Sequence, residues 1–419
     1  EEDKFVDEMH ALALAGETRV KMMKDGPEPY SWPLFDIRVT HTGAKQSIVH
    51  LTVSLFLMDA MSDLILRQEV SNIYRGLLTA PRERISPLML TDEEMGLHPE
   101  AKITFRDYCF GMDTGLIKSE MYEKAKAFWF ARIDSLPPGP SLPMLPLQKG
   151  SGSRFQNRHR WLEKAEWGRA VRNCAEHAVT VPAMLLACYS ISLACWSGSN
   201  RFLLNILQCL RHQVHEDVNK LVGNCSSTIL CDVDLRVVRD KKNKPKSSEP
   251  SLTLKEAISR VAGELSRNLE HASMSGIEVM QEMNRIRGNT FSVVAPFIFT
   301  TPIGVEAGNK FVKSRDWVFQ ETFFSERVPH TACVNAIKND PSGSACASLD
   351  FVDGVFPHEV MDGMMKTYSE LLDIVISEQS SDWNIAYKNL LTPSISAKPI
   401  DPDRPLDMRL MHEGFLERA

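Results

Sequence analysis

Asp59 and Ser62 stand three positions apart, between a strand-like apolar run and a helix-like one. A carboxylate and a hydroxyl at such a junction can hold or pass a proton. Strand ends that hand polar side chains to a turn are where α/β folds place their chemistry. The same pair also suits plain helix capping, because Asp and Ser oxygens accept the first free N–H groups of a helix. From residue types alone both uses stay open. The sequence carries no glycine-rich phosphate loop, no G-x-S-x-G elbow and no metal-ligand cluster, so the expected metal content is none.

The elements that must position this pair are legible from periodicity. From Val49 to Leu57 every odd position is apolar, the pattern of a strand with one buried face; His50, Thr52, Ser54 and Phe56 fill the other. From Asp63 the period changes, and Leu66, Val70, Ile73 and Leu77 are spaced for one face of a helix. Residues 1–25 read as a helix with Phe5, Met9, Leu12 and Leu14 on its apolar face, followed by a strand over Pro33–Thr40. Further on, the patterns predict helices near Phe105–Tyr108, Lys124–Arg132, within 163–198 (two), Leu254–Arg287 and Pro357–Ile376. Strands are predicted at Asn157–Trp161, Arg201–Leu210, Cys225–Leu235 and Pro296–Gly304.

Bulk properties narrow the class. With 419 residues, 43% hydrophobic and 24% charged, the chain reads as an ordinary globular protein of about two domains. No apolar run reaches about 18 residues, so no membrane span is expected; Ala178–Trp196 reads as a buried helix. The net charge of −6 argues against nucleic acid as a partner. Nine cysteines without CxxC pairs fit free thiols in a reducing, intracellular and cytoplasmic setting. The lysine-rich loop Asp240–Pro250 reads as a solvated surface loop; a basic patch for a phosphate or carrier protein is the other reading.

Four stretches carry a family resemblance. Ser54-Leu-Phe-Leu-Met-Asp59-Ala-Met-Ser62 resembles the DxxxxDxxS motif of the heterocyclization (cyclization) domains of nonribosomal peptide synthetases, with Ser54 in place of the first Asp. These domains form a branch of the condensation-domain family, whose ordinary members carry HHxxxDG there. The Pro-spaced run from Phe128 to Pro143 is similar to the family's second motif. Phe202 to Ser227 aligns without gaps with a family passage, matching at Asn205, Arg211, His215, Asp217, Asn219 and Gly223 among others; Asn224 replaces an Asp. His271-Ala-Ser-Met-Ser-Gly-Ile-Glu-Val279 is similar to a fourth motif.

The resemblance implies an α/β (α+β), two-lobed fold like that of the CoA-dependent acyltransferases, with a channel between the lobes. It places an incomplete N-terminal lobe at 1–149, a C-terminal lobe at 150–380 and a linker toward an adenylation domain at 381–419, with the lobe junction at Gln148–Ser153. The chain is expected to start partway into the first lobe, so that another segment completes its sheet. The implied reaction joins a carrier-bound acyl thioester to a carrier-bound Cys, Ser or Thr, then cyclises and dehydrates the product. Substrates would arrive on the phosphopantetheine of peptidyl carrier domains, with no cofactor bound covalently. An adjacent adenylation domain and other subunits of a large complex are the implied partners.

By the same resemblance Asp59, Ser62 and Thr300 are the catalytic candidates, and His50, Asn205 and Arg211 line the substrate channel. The family also carries an Asp downstream that is associated with cyclodehydration. It falls on Val334, or on Asn335 if one residue is gapped. Changes at Ser54, Asn224 and Val334/Asn335 together imply weakened or lost cyclodehydration. A catalytically inactive structural or interaction subunit is the alternative reading. His358-Glu-Val-Met-Asp362-Gly363 matches HxxxDG literally but lies far from the family position, and ordinary helix-start reasons account for it.

Overall fold

The computed structural model describes residues 32–43, 46–80, 101–146, 155–237, 252–288, 293–301, 331–339, 343–378 and 380–387, with isolated positions outside them. The expected helix over 1–25, the junction at Gln148–Ser153, the loop Asp240–Pro250 and most of the 381–419 linker lie outside the described residues. The chain forms two compact units. One draws on Glu1–Cys109 and Cys209–Ser226, the other on Phe110–Gln208, Ser227–Lys313 and Ser325–Ala419.

In the first unit β1 (Phe35–Gly43) and β2 (Gln46–Val53) pair antiparallel, with Phe35 opposite Val53, Ile37 opposite Leu51 and Val39 opposite Val49. This apolar face was expected to be buried, and it is not: Ile37 is 56% exposed, Val39 54% and Leu51 40%. A two-stranded ribbon is a single layer, and none of the described elements covers that face. The strand also stops at Val53, because Ser54–Leu57 closes a turn through the Leu57 N–H to the Ser54 carbonyl. Helix α1 (Ala60–Thr79) follows, starting ahead of the expected Asp63. Its buried residues are Met61, Ser62, Ile65 and Ser71, whereas Val70, expected on the buried stripe, is exposed. Helix α2 (Phe105–Gly111) comes next.

The second unit is built on a six-stranded mixed sheet. Its elements in chain order are α3 (Glu120–Phe130), β3 (Phe155–Leu162), α4 (Lys164–Glu176), α5 (Val181–Ser197), β4 (Arg201–Gln208) and β5 (Ser227–Asp234). Then come α6 (Leu254–Leu269), α7 (Gly276–Ile286), β6 (Phe297–Thr300), β7 (Cys333–Asn339), β8 (Ala345–Val352) and α8 (His358–Val375). The strand order is β3-β8-β7-β6-β4-β5, with β6 parallel to both β4 and β7 and the other pairs antiparallel.

The helix expected over Leu254–Arg287 is broken into α6 and α7. Ser275 starts α7 with a capping box: its hydroxyl accepts the Glu278 N–H while Glu278 accepts the Ser275 N–H. Helix α5 is apolar all round and buried from Ala183 to Ala194, which is what such a helix requires in water. Its Ser192 hydroxyl donates to the Met364 carbonyl of α8 at 2.8 Å.

The two faces of the sheet differ. Phe297, Phe299, Cys333, Asn335, Leu349 and Phe351 point to one face and are buried. Asn335 there accepts a hydrogen bond from Tyr368 of α8. On the opposite face, Leu203 and Leu230 of β4 and β5 join a core with Trp129, Ile133, Met274, Val279 and Met283. Trp129 is 1% exposed and donates to the His271 carbonyl at 3.2 Å. Truncating such an indole to Ala costs about 3–5 kcal/mol.

Arg132 bonds Glu264 at 2.5 Å and Asn268 at 2.9 Å, and Pro138 accepts the Leu203 N–H at 2.8 Å. The Pro-spaced second motif is thus a strap that fixes the Phe128–Pro143 run to α6 and β4.

Candidate functional site

Asp59 and Ser62 are brought together at the start of α1. Asp59 is its N-cap, accepting the Ser62 N–H at 2.8 Å. The loop 209–226 closes over the pair. Arg211 donates through Nη2 to Asp59 Oδ1 at 3.0 Å and to Ser62 Oγ at 3.1 Å, and Cys225 N–H donates to Asp59 Oδ2 at 3.1 Å. The Ser62 hydroxyl lies 2.7 Å from Asp59 Oδ1 and 2.8 Å from the Gly223 carbonyl, either of which can take its single proton; it accepts the Gly223 N–H at 3.0 Å. Arg211 also donates through Nη1 to the carbonyls of Val218 and Leu221.

Every one of these groups is out of water. The Arg211 and Asp59 side chains are 2% and 0% exposed. Gly223 is dictated by packing, since a Cβ there would overlap the Phe105 ring. A buried ion pair of this kind holds a loop onto a helix; one guanidinium atom, Arg211 Nε, is buried without a hydrogen-bond partner among the described residues.

Two of the changed motif positions sit around the turn before α1. The Ser54 hydroxyl accepts the Phe56 N–H at 3.3 Å, and Asn224 Nδ2 donates to the Leu55 carbonyl at 2.7 Å. An Asp at 224 could not make that donation, so Asn supplies a neutral tie that a carboxylate cannot. His50 Nε2 lies 3.2 Å from Thr40 Oγ1 across the ribbon.

Thr300, Asn205, Val334 and Asn335 belong to the sheet of the second unit. Registers place them by face. Thr300 is level with Leu207 and Ala336, and Ile298 is level with Asn205 and Val334. Side chains two apart along a strand share a face, so Thr300, Asn205 and Val334 lie on the same one. Asn335 lies on the other, where Nδ2 donates to the Ser348 carbonyl at 2.9 Å and Oδ1 accepts the Tyr368 hydroxyl at 3.3 Å. Asn335 is 0% exposed. Of the two alternatives for the family's downstream Asp, only Val334 shares the face of Thr300.

This face grades from apolar to polar. Over β4 and β5 it is covered by the Trp129 core, and there Asn205 Oδ1 and Thr228 Oγ1 are buried without a hydrogen-bond partner among the described residues. Across β6, β7 and β8 the side chains of Ile298, Thr300, Val334, Ser348 and Asp350 are half-buried. Thr228 was not singled out from sequence; only its pairing with Leu207 places it here. Ser348 was missed for the same reason.

The HxxxDG match is accounted for structurally. Asp362 is ion-paired with Arg158, and His358 Nδ1 is 3.3 Å from Arg158 Nη2, all on the exposed edge formed by β3 and α8. A Cβ at Gly363 would overlap the Trp196 indole, so the glycine lets α8 approach α5. Among the described residues no group of His, Cys, Asp and Glu is arranged to hold a metal ion, and no single helix is long and apolar enough to cross a membrane.

The family model described as the condensation domain matches residues 30–384. Bacitracin synthase 1 of Bacillus licheniformis is 24% identical over 404 residues, 95% of this chain and 7% of that protein. Phenyloxazoline synthase MbtB of Mycobacterium tuberculosis is 26% identical over 399 residues, 92% of this chain and 25% of that protein. The chain therefore spans a small part of the length of these relatives. The solved cyclization-docking bidomain of the EpoB nonribosomal peptide synthetase from Sorangium cellulosum superposes with a TM-score of 0.66 at 23% identity, covering 87% of this chain and 67% of that one. By its family match and its fold, this chain belongs to the condensation-domain family.

Proposed function

We propose that this chain joins a carrier-bound acyl thioester to the amine of a carrier-bound Cys, Ser or Thr in nonribosomal peptide synthesis, as a member of the heterocyclization branch. The observation that carries the reading is the Thr300 face. A half-buried hydroxyl there shares one side of the sheet with the unpartnered Asn205 acceptor and with an apolar floor. Such a surface can seat an amide and polarise or deprotonate it. In this reading Asp59, Ser62 and Arg211 are positioning residues: they fix the loop 209–226 and never touch substrate. Phosphopantetheine arms deliver both thioesters, and peptidyl carrier and adenylation domains are the partners.

A second reading, a condensation fold kept only for binding, is favoured by Val334 standing where the resemblance expects a carboxylate. A single-turnover assay separates the two. Donor and cysteinyl acceptor are loaded on carrier proteins, and the product is read by mass. The amide, with or without loss of water, supports the proposal. Unreacted carriers with a folded protein leave the binding reading.

A further inference from the structure

Val334 and Asp350 are a directly opposed antiparallel pair on β7 and β8. Opposed side chains in such a pair have Cβ atoms about 4.5–5.5 Å apart and lie on the same face. Asp350 therefore shares the face of Thr300, one strand beyond the position that has lost its acid. Ser348, level with Ala336 and hence with Thr300, lies on this face too; its hydroxyl is 3.3 Å from Asp350 Oδ2 and 3.4 Å from the Ala336 carbonyl, either of which can take its single proton. Between Thr300 on β6 and the Ser348–Asp350 pair on β8 the floor is Ile298, Val334 and Ala336. Two strand spacings are about 10 Å, a lateral span matching a five-membered ring and its amide laid between the two polar rims.

We propose that Asp350 is the carboxylate that serves cyclodehydration in this chain, replacing by a lateral shift the acid absent at Val334. The inference rests on the heterocyclization reading above. In the first step the cysteine sulfur bonds to the amide carbon, and Asp350 takes the S–H proton and passes it to the carbonyl oxygen, whose π bond breaks. In the second step that C–O bond breaks and C=N forms. Asp350 takes the N–H proton and delivers it to the departing hydroxyl, which leaves as water. The carboxylate ends as it began, and no oxidant or reductant is needed. Ser348 orients the carboxylate, and Val334 and Ala336 keep the floor dry, so that the proton shuttles rather than leaks.

The test uses the full-length protein with two probes. Carrier-loaded thioesters report condensation, and an N-acylcysteinyl pantetheine thioester, already condensed, reports loss of water alone. Asp350→Asn is expected to slow dehydration about 100-fold or more, the usual loss for a general acid–base group, while linear amide formation stays within about twofold. The exchange variant V334D/D350N is expected to recover at least about tenfold of that loss, which a purely structural role of Asp350 would not allow. Melting curves check that each variant folds. D350N dehydrating at the wild-type rate overturns the proposal. Wild type that makes the linear amide but never dehydrates either probe also overturns it, and leaves condensation standing. Wild type that makes no product from any probe defeats the functional reading itself, and this inference with it.

Discussion

The carboxylate of Asp59 and the guanidinium of Arg211 meet at 3.0 Å with neither side chain more than 2% exposed. Breaking one side of such a pair strands a charge out of water, which costs about 3–5 kcal/mol, whereas removing both together costs far less. Asp59→Asn and Arg211→Met are therefore each expected to lower the urea midpoint strongly, and the double variant to fall short of their sum. Chemical unfolding of the four proteins checks this. Additive losses would mean that the two residues do not act as a pair.

Thr300 is half-buried at the end of β6, so Thr300→Val keeps the β-branched shape and changes little in stability. The same change is expected to cut turnover of loaded carriers by about 100-fold if the hydroxyl works on the reacting amide. A single-turnover rate beside a melting curve separates the two effects.

The HxxxDG match makes a sharper contrast. His358→Ala and Asp362→Asn alter an exposed ion-pair cluster, worth about 0–1 kcal/mol, and are expected to leave product formation unchanged. Gly363→Ala is expected to be the damaging change of the three, by about 1–3 kcal/mol, because its methyl group overlaps Trp196. Thermal melts and carrier assays of the three variants decide it.

Alkaline pH tests the interior. Burial pushes the Cys225 thiol up to about 11 and the Cys174 thiol up to about 12, from an ordinary 9.0. Above pH 9 the unfolded chain sheds these protons first, so their contribution to stability is full below about 9 and is lost as pH climbs toward the folded values. The melting temperature is expected to decline from about pH 9 upward, and less steeply in Cys225→Ala. A pH series of melts on both proteins measures the difference.

Much of the fold was legible because local pattern and burial agree. The apolar run at Ala183–Ala194 could only be an interior helix, and the strands Arg201–Gln208 and Ser227–Asp234 carried their own turns. The break between α6 and α7 was overlooked, although Ser275-Gly-Ile-Glu278 carries the capping-box spacing that the structure realises as reciprocal bonds.

The site was legible in its members and not in its grouping. Asp59 and Ser62 read equally as cap and as chemistry, and what decides is Arg211, 149 residues beyond Ser62. Val334 and Asn335 are neighbours in sequence with opposite fates; telling them apart needs the strand that pairs with each, which no local pattern encodes. Asp350 becomes interesting only once it is known to face Val334.

The bare apolar side of β1 and β2 has a practical consequence for anyone handling the chain in solution. Ile37, Val39 and Leu51 form a sticky stripe on a ribbon whose two outer edges are unpaired among the described residues. Such a ribbon is a template for another copy of itself, and collisions between copies grow with concentration. Light scattering by this chain should therefore rise faster than linearly with concentration, and a lysine at Ile37 should flatten that rise and extend the working range of a purified sample.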